Sequence, residues 1–430
     1  MGWGLTKNHR TGLLGEHYVP DTQKHTYNTV VVDMCSEARR VGSGPREQSA
    51  RQLCDGLFRN LMNKCTGTLV IMFDCSERMH ERRESLHLAR YPPLTDAQID
   101  TAAEAGKVVV GRRAFARGSQ PYTAAEIKTF TAHTRLVWNR LWASAEGKAL
   151  GWQMLYTALI VACHRHATDD HTCIMWLRGA PFVWPYTRDA GKHRALAETA
   201  RVVCANTYGE ADQRICEAAR IIAGNSAPGG TMLVQTIDTD FLIQALCTPA
   251  WGDRVVLHLQ LKNEKVDLAG MCRRFGGDAG RRINAAFWCL ACGGVDYCKG
   301  LTRFGYKTSD LLACAEPGAA PPVIDIAGGC LALRTETLMV HLAALPRRKM
   351  KRAAAHDFDK EIRDMLFCVA LFAGMASTRE PCGGPTVPDA ACFPGLAPLQ
   401  PYNDLFVRGA HTGQHACHDL EYHDTDGGSQ

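Results

Sequence analysis

Apolar runs that end in an acid recur along this chain. Val30, Val31 and Val32 lead into Asp33, residues 68–73 lead into Asp74, and residues 231–237 lead into Asp238 and Asp240. Glu210 and Asp212 open a further helical stretch, and Asp296 follows Gly294 and Val295. Acids at the carboxyl ends of apolar strands converge on one edge of an open α/β sheet. Seven carboxylates on one edge (Asp33, Asp74, Glu210, Asp212, Asp238, Asp240 and Asp296) repel and raise one another's pKa unless cations sit among them. Hard divalent cations with oxygen ligands are the natural counter-charge, and a pair of them serves phosphodiester hydrolysis.

The spacing between the runs supports the same architecture. Leu53, Leu57, Phe58, Leu61 and Met62 fall at helical intervals between the first two strands, which predicts a parallel βαβ unit with a right-handed crossover. Residues 124–165 read as largely helical, 174–177 as a strand, 191–206 and 210–222 as helices, 253–261 as an outer strand and 280–292 as a helix. Ala-, Gly- and Pro-rich residues 315–322 suggest a connection, 352–376 a helical segment, and 377–430 an irregular tail. The expected class is α/β, with a mostly parallel central sheet flanked by helices.

Charge sets weaker bounds. Against 44 acidic residues stand 49 basic ones, a net +5, and an acid cluster of this size would conceal a more basic binding surface. No run of about 18 apolar residues appears, so no membrane helix is expected. Lys7 and Arg10 precede any long apolar stretch, which argues against a secretory signal. The 19 cysteines, many in apolar runs, are expected reduced and packed. Met1 to Thr6 also fits the loose myristoylation pattern.

Singly, each acid has a plainer explanation. Asp33 or Asp74 after a strand serves equally as a helix N-cap. Glu210 and Asp212 suit the first turn of a helix, and Asp238 and Asp240 the start of the next one. Their joint placement at one sheet edge carries the inference.

The order of these motifs resembles the flap endonuclease / xeroderma pigmentosum G superfamily over about residues 1–310. The resemblance rests on Met1-Gly2, the strand into Asp33, Phe73-Asp74, Gly209-Glu210-Ala211-Asp212, Asp238-Thr239-Asp240 and Gly294-Val295-Asp296-Tyr297-Cys298. It implies a PIN-like 5′-nuclease fold with a nuclease part at 1–90 and 151–300. A helical arch at 91–150, a helix–two-turn–helix-like region within 301–376 and a tail at 377–430 would complete the chain. It implies two Mg²⁺ ions, for which Mn²⁺ can substitute. Asp33, Asp74, Glu210 and Asp212 would hold one, and Asp238, Asp240 and Asp296 the other.

The implied partner is DNA with a 5′ flap, nick or end, as in replication and repair. Arg83 and Arg90, seven residues apart, stand where the family places two cations that reach the scissile phosphate, although two residues further from Asp74; Arg82 competes for the first role. Gly2, Arg112, Arg113, Arg117, Lys128, Arg303 and Lys307 are the further nucleic-acid contacts the resemblance implies. Three departures from the family pattern stand out: Cys75 for a glycine, Asp212 for a glutamate, and Arg303 for a glycine of the duplex-gripping turn.

Other features remain open. Pro346 to Arg352 is strongly basic and suits a nuclear import signal, a DNA-backbone contact or a solvated helix start; without it the expected location is the cytoplasm. Cys289, Cys292 and Cys298 have a zinc-like interval but read as core thiols. Cys163, His164, His166, His171 and Cys173 have ligand-like spacing, as do His411, His415, Cys417, His418 and His423. No sliding-clamp motif is recognised, because Asn403 falls where an aliphatic is needed. Two alternatives to a DNA nuclease stand beside it: an endoribonuclease on the same fold, and a catalytically weak nucleic-acid-binding scaffold.

Overall fold

A computed structural model describes residues 18–19, 26–42, 44, 46–73, 94–110, 113–166, 171–176, 181–184, 228–236, 240–247, 255–261, 264–276, 278–295, 298–319, 321–327, 330–346 and 358–373, with seven further positions between 215 and 226. In chain order the strands are β1 (Tyr18–Val19), β2 (Tyr27–Asp33), β3 (Cys65–Met72), β4 (Lys107–Val110), β5 (Arg113–Ala116), β6 (Thr172–Trp176), β7 (Pro181–Trp184), β8 (Gly230–Thr236), β9 (Val255–Leu261), β10 (Glu264–Asp267), β11 (Ile324–Ala327) and β12 (Cys330–Leu333). The helices are α1 (Met34–Val41), α2 (Ala50–Met62), α3 (Asp96–Glu104), α4 (Ala124–Ile127), α5 (Trp138–Leu141), α6 (Ala145–His166), α7 (Asp240–Cys247), α8 (Leu268–Arg274), α9 (Ala279–Gly293), α10 (Thr308–Ala313), α11 (Thr335–Ala344) and α12 (Phe358–Phe372).

Eight of the described strands form one sheet in the order β1-β10-β9-β8-β2-β3-β6-β7. The five inner strands, β9-β8-β2-β3-β6, pair in parallel. Antiparallel β10 and β1 extend one side, and antiparallel β7 closes the other. The class is therefore α/β with a mostly parallel sheet. One expectation shifts: the strand read as outer is β9, and β10 and β1 cover it.

Strand alternation explains why the inner strands read as continuous apolar runs. Val30, Val31 and Val32 are each 0% exposed. Val31, Val70, Met72, Ile174, Met232 and Val234 enter one core, together with residues of α7, α8, α9 and α12. Val30, Val32, Leu69, Ile71, Cys173, Met175 and Leu233 enter the other, under α1, α2 and α6. A parallel sheet buried on both faces needs apolar residues at successive positions rather than alternate ones. Helix α9 is buried all round from Arg282 to Cys292, as a helix apolar on every side must be.

Local sequence starts these helices where they start. Ser49 with Gln52, Thr95 with Gln98 and Thr123 with Glu126 form capping boxes on α2, α3 and α4, each satisfying two backbone groups that the first turn leaves without an intrahelical partner. Asp267 and Asp278 cap α8 and α9. Among the described residues no helix is long and apolar enough to cross a membrane.

Two stretches expected to be helical contain hairpins. Within 91–150, β4 and β5 form an antiparallel pair between α3 and α4. Within 301–376, β11 and β12 form another. Besides its buried apolar side chains, this second hairpin is fastened to the core by hydrogen bonds from Asn284 of α9. Asn284 Nδ2 donates to the carbonyls of Gly280 at 2.9 Å and Ile324 at 2.8 Å. Its Oδ1 accepts from the Val323 and Ile324 amides at 2.7 and 2.9 Å. Replacing Asn284 by the similarly sized Leu strips two buried N–H groups of their acceptor, and at about 1–3 kcal/mol each the expected loss is about 2–6 kcal/mol, measurable by urea unfolding.

Candidate metal-binding edge

The central strand β2 ends at the acid the sequence singled out. Asp33 lies level with Met72 of β3, and Val32 with Gln235 of β8, so the carboxyl ends of three parallel strands are nearly flush. Chain order reverses here: β3 and β6 lie on one side of β2, β8 and β9 on the other. In open α/β sheets, the crevice outside the carboxyl ends at such a reversal is where ligands bind.

Asp33 is 4% exposed and spans that crevice. It is the N-cap of α1, with Oδ1 accepting the Ser36 amide at 3.0 Å. Oδ2 accepts from the Ser36 hydroxyl and, across the β2–β8 boundary, from Thr236 Oγ1 at 3.1 Å. The capping role weighed from sequence is thus real, and the carboxylate is also tied to the neighbouring strand end. Asp240 opens α7, the helix that leaves β8, and is 5% exposed.

Phe73, at the end of β3, is fully buried. It packs edge-on against Trp152 and Tyr156 of α6 at centroid distances of 6.3 and 4.6 Å. Arg39 of α1 stands 5.8 Å from the Trp152 ring. These contacts fix the backbone leading to Asp74.

The residues flanking Asp296 and Tyr297 are bridged to each other. The Val295 amide donates to the Cys298 carbonyl at 2.9 Å, and the two residues bridge. Gly294 and Gly300 have φ of +67° and +75°. A β-carbon on Gly294 would run into the Cys298 carbonyl, and one on Gly300 would lie 2.7 Å from the Leu290 carbonyl oxygen, so glycine is required on both counts. Beyond the bridge, Glu361 of α12 accepts the amides of Lys299 and, at 2.9 Å, Gly300 through one oxygen.

Of the predicted site residues, Asp33 and Asp240 are thus placed at the sheet edge. Asp74, Glu210, Asp212, Asp238, Asp296, Arg83, Arg90, Arg112 and Gly2 lie outside the described residues, as do residues 347–352 of the basic segment and the His- and Cys-bearing tail. Arg113 is exposed on β5, with Arg117 exposed just beyond it. Arg303 belongs to a 3-10 helix, Leu301–Phe304, closed by Gly305 at φ +90°. Lys307 is half-buried before α10.

Sequence reasoning missed Ser36, Thr236 and Glu361. The first two sit within three residues of predicted acids; nothing in the sequence points to the third.

The cysteines behave as packed thiols. Cys289, Cys292 and Cys298 are buried, and burial raises all three thiol pKa values. Cys292 Sγ donates to the Trp288 carbonyl at 3.1 Å. Cys163 and Cys173 are both fully buried, whereas His166 turns to Asp55 at 3.3 Å and His171 to the Cys65 carbonyl at 3.1 Å. Cys163 and Cys173 meet each other, while the two histidines make these separate contacts. Among the described residues no group of three or more His, Cys, Asp or Glu side chains gathers to hold a metal, and five of the seven predicted acids are not among them.

No protein-family model matches this chain, and no curated protein matches its sequence.

Burial raises the Glu361 carboxyl pKa above its ordinary value. The Lys299 and Gly300 amides and Lys360 oppose the shift, and Asp364 adds to it. A pKa raised on folding means that the folded state favours the protonated acid. Its stabilising contribution is full below the unfolded value of 4.5 and is lost as pH rises through the folded one. The melting temperature of the wild type minus that of Glu361→Gln should therefore fall as pH is raised from below 4.5 toward neutrality; a flat difference would contradict the assignment.

Proposed function

We propose that this chain is a divalent-metal-dependent phosphodiesterase of the PIN-like 5′-nuclease type, cutting DNA at flaps, nicks or 5′ ends. The observation that carries the reading is the Asp33–Thr236 contact. It sets a buried acid across the crevice between β2 and β8, at the reversal of strand order, with Asp240 in the first turn beyond β8.

The donor chemistry fits hard cations. Carboxylate and hydroxyl oxygens suit Mg²⁺. On the family pattern Asp33, Asp74, Glu210 and Asp212 would hold one ion, and Asp238, Asp240 and Asp296 the second. Bound there, a pair of Mg²⁺ ions would supply an activated water and neutralise charge at the phosphate.

The chain's own contribution is positioning. Ser36 and Thr236 hold the Asp33 carboxylate in one orientation, which limits the reorganisation needed on binding. Arg83 and Arg90 would grip the scissile phosphate, for which a planar guanidinium suits bidentate contact. Arg112, Arg113, Arg303 and Lys307 would track the remaining backbone.

Asp33→Asn separates capping from metal binding. Asparagine caps a helix about as well as aspartate, whereas alanine costs about 1 kcal/mol, so Asp33→Asn should melt near the wild type and Asp33→Ala below it. Outer-shell residues already matter 10–100-fold at metal sites, so loss of a direct ligand should reduce cleavage at least about 100-fold in both variants. Full activity in Asp33→Asn would leave the acid as a cap alone.

Labelled 5′-flap, nicked and hairpin DNA and single-stranded RNA, incubated with Mg²⁺, test the substrate. Cleavage at the flap junction, abolished in Asp238→Ala, is the expected result. Cleavage of RNA alone would keep the site and change the polymer. No cleavage of any substrate, with no Mn²⁺ bound in a titration, would favour the scaffold.

A further inference from the structure

Arg39 and Arg40 stand side by side in the last turn of α1 and are held in different ways. Arg40 is paired: its Nε and Nη2 both donate to Glu37, at 2.9 and 2.7 Å, and that acid is 2% exposed. Arg39 is exposed, with its guanidinium carbon 5.8 Å from the centre of the Trp152 ring. Among the described residues no carboxylate forms an ion pair with it. A carboxylate takes up both the charge and the donors of an arginine. An aromatic face attracts the cation through the ring quadrupole and leaves the guanidinium N–H groups free to bond elsewhere.

The ring beneath Arg39 is itself held. Trp142 packs on Trp152 at a centroid distance of 4.4 Å, and Trp138 packs on Trp142 at 5.2 Å. Trp138 anchors the row: it is fully buried, and its Nε1 donates to the Gln48 carbonyl at 3.1 Å. Trp152 also meets Phe73, the residue after β3, edge-on at 6.3 Å. A ring wedged between two others has little freedom to turn, so the side chain resting on it is steadied as well. Arg39 sits on the helix that leaves β2, six residues and about 9 Å of helix rise beyond Asp33. It therefore links that helix to the ring that packs on the end of β3.

We propose that Arg39, steadied by Trp152, is a phosphate-binding residue that grips the backbone of a nucleic-acid strand passing the β2–β3 edge. A planar guanidinium with free donors matches phosphate oxygens in pairs. An arginine ordered before binding does not have to surrender its rotamer freedom at that moment, which favours affinity. This inference rests on the nuclease reading above and names a contact which that reading lacks. A cation on an aromatic ring also packs usefully in any protein. What the proposal adds is a counter-ion from outside the chain, and that has its own signature in salt.

The test is binding of fluorescein-labelled 5′-flap DNA and single-stranded RNA to the full chain in EDTA, read by anisotropy across a salt series, with thermal melting of each variant. Arg39→Ala should weaken binding about 10-fold, the worth of a hydrogen bond to a charged group. It should also flatten the slope of log affinity against log salt by about 0.7–0.9, the contribution of one phosphate contact. Arg39→Lys keeps the charge without the fork, so the slope should hold and the affinity recover in part. Trp152→Leu leaves the arginine present but unsteadied. Its slope should hold while affinity falls about 2–5-fold, the worth of an exposed cation–π contact. Arg39→Ala should melt with the wild type, and Arg39→Gln reads the same slope if it does not. A wild-type slope in folded Arg39→Ala or Arg39→Gln would overturn the phosphate contact and leave Arg39 as packing on Trp152. An Arg39-dependent slope in a chain that cleaves nothing would sink the nuclease reading and spare the contact. A wild type that binds neither polymer would overturn both.

Discussion

Everything in this molecule hangs on the pairing of β2 between β3 and β8. Among the described strands it stands at the centre of the parallel part of the sheet, between its two wings, and its valines contribute to the cores on both faces. Because its backbone is bonded on either side and its side chains are packed above and below, the strand has little freedom to move. Its terminal residue inherits that rigidity. An acid at the end of such a strand is placed to within the tolerance of the sheet, which a loop-borne acid is not.

The Asp33 carboxylate caps a helix in a way compatible with the proposed chemistry. An aspartate side chain offers about four acceptor directions, and the cap and the Thr236 contact use its oxygens for hydrogen bonds that also orient it. In metal sites this arrangement is general: groups that bond to the ligands fix their direction and are as consequential as the ligands themselves. In the proposed site Ser36 and Thr236 would stand in that relation to Asp33.

How much of this was legible in the sequence depended on what set each element. The inner strands were readable because two-sided burial writes itself as unbroken apolar runs, and each such run ended in an acid or a polar residue. The capping boxes at Ser49, Thr95 and Thr123 are likewise local signals. Strand β10 reads Glu264-Lys265-Val266-Asp267 and carries no strand pattern; it is a strand because β9 offers an edge, a tertiary cause that local propensity does not encode. Hairpin β4–β5 was hidden for a related reason, since its four-residue strands are too short to establish a period. Of the candidate acids, Asp33 and Asp240 stand where their position after apolar runs put them, at the end of β2 and the start of α7. Thr236 was passed over because a single hydroxyl has many ordinary uses. Glu361 had no local signature at all: its role exists only once α12 has docked beside the exit of α9.

The two cores differ in how much chain they require. Nearly all of the core under α1, α2 and α6 comes from residues 27–175, with Leu233 as a late addition. The core on the opposite face draws on α7, α9 and the whole buried side of α12, ending at Phe372. Synthesis proceeds from the N-terminus at about 5–20 residues per second, and segments fold as their partners emerge. One face of the sheet can therefore consolidate while the chain is still growing. The other draws on helices as late as α12, which packs on α7 and α9, so its core is complete only when the last described helix is made.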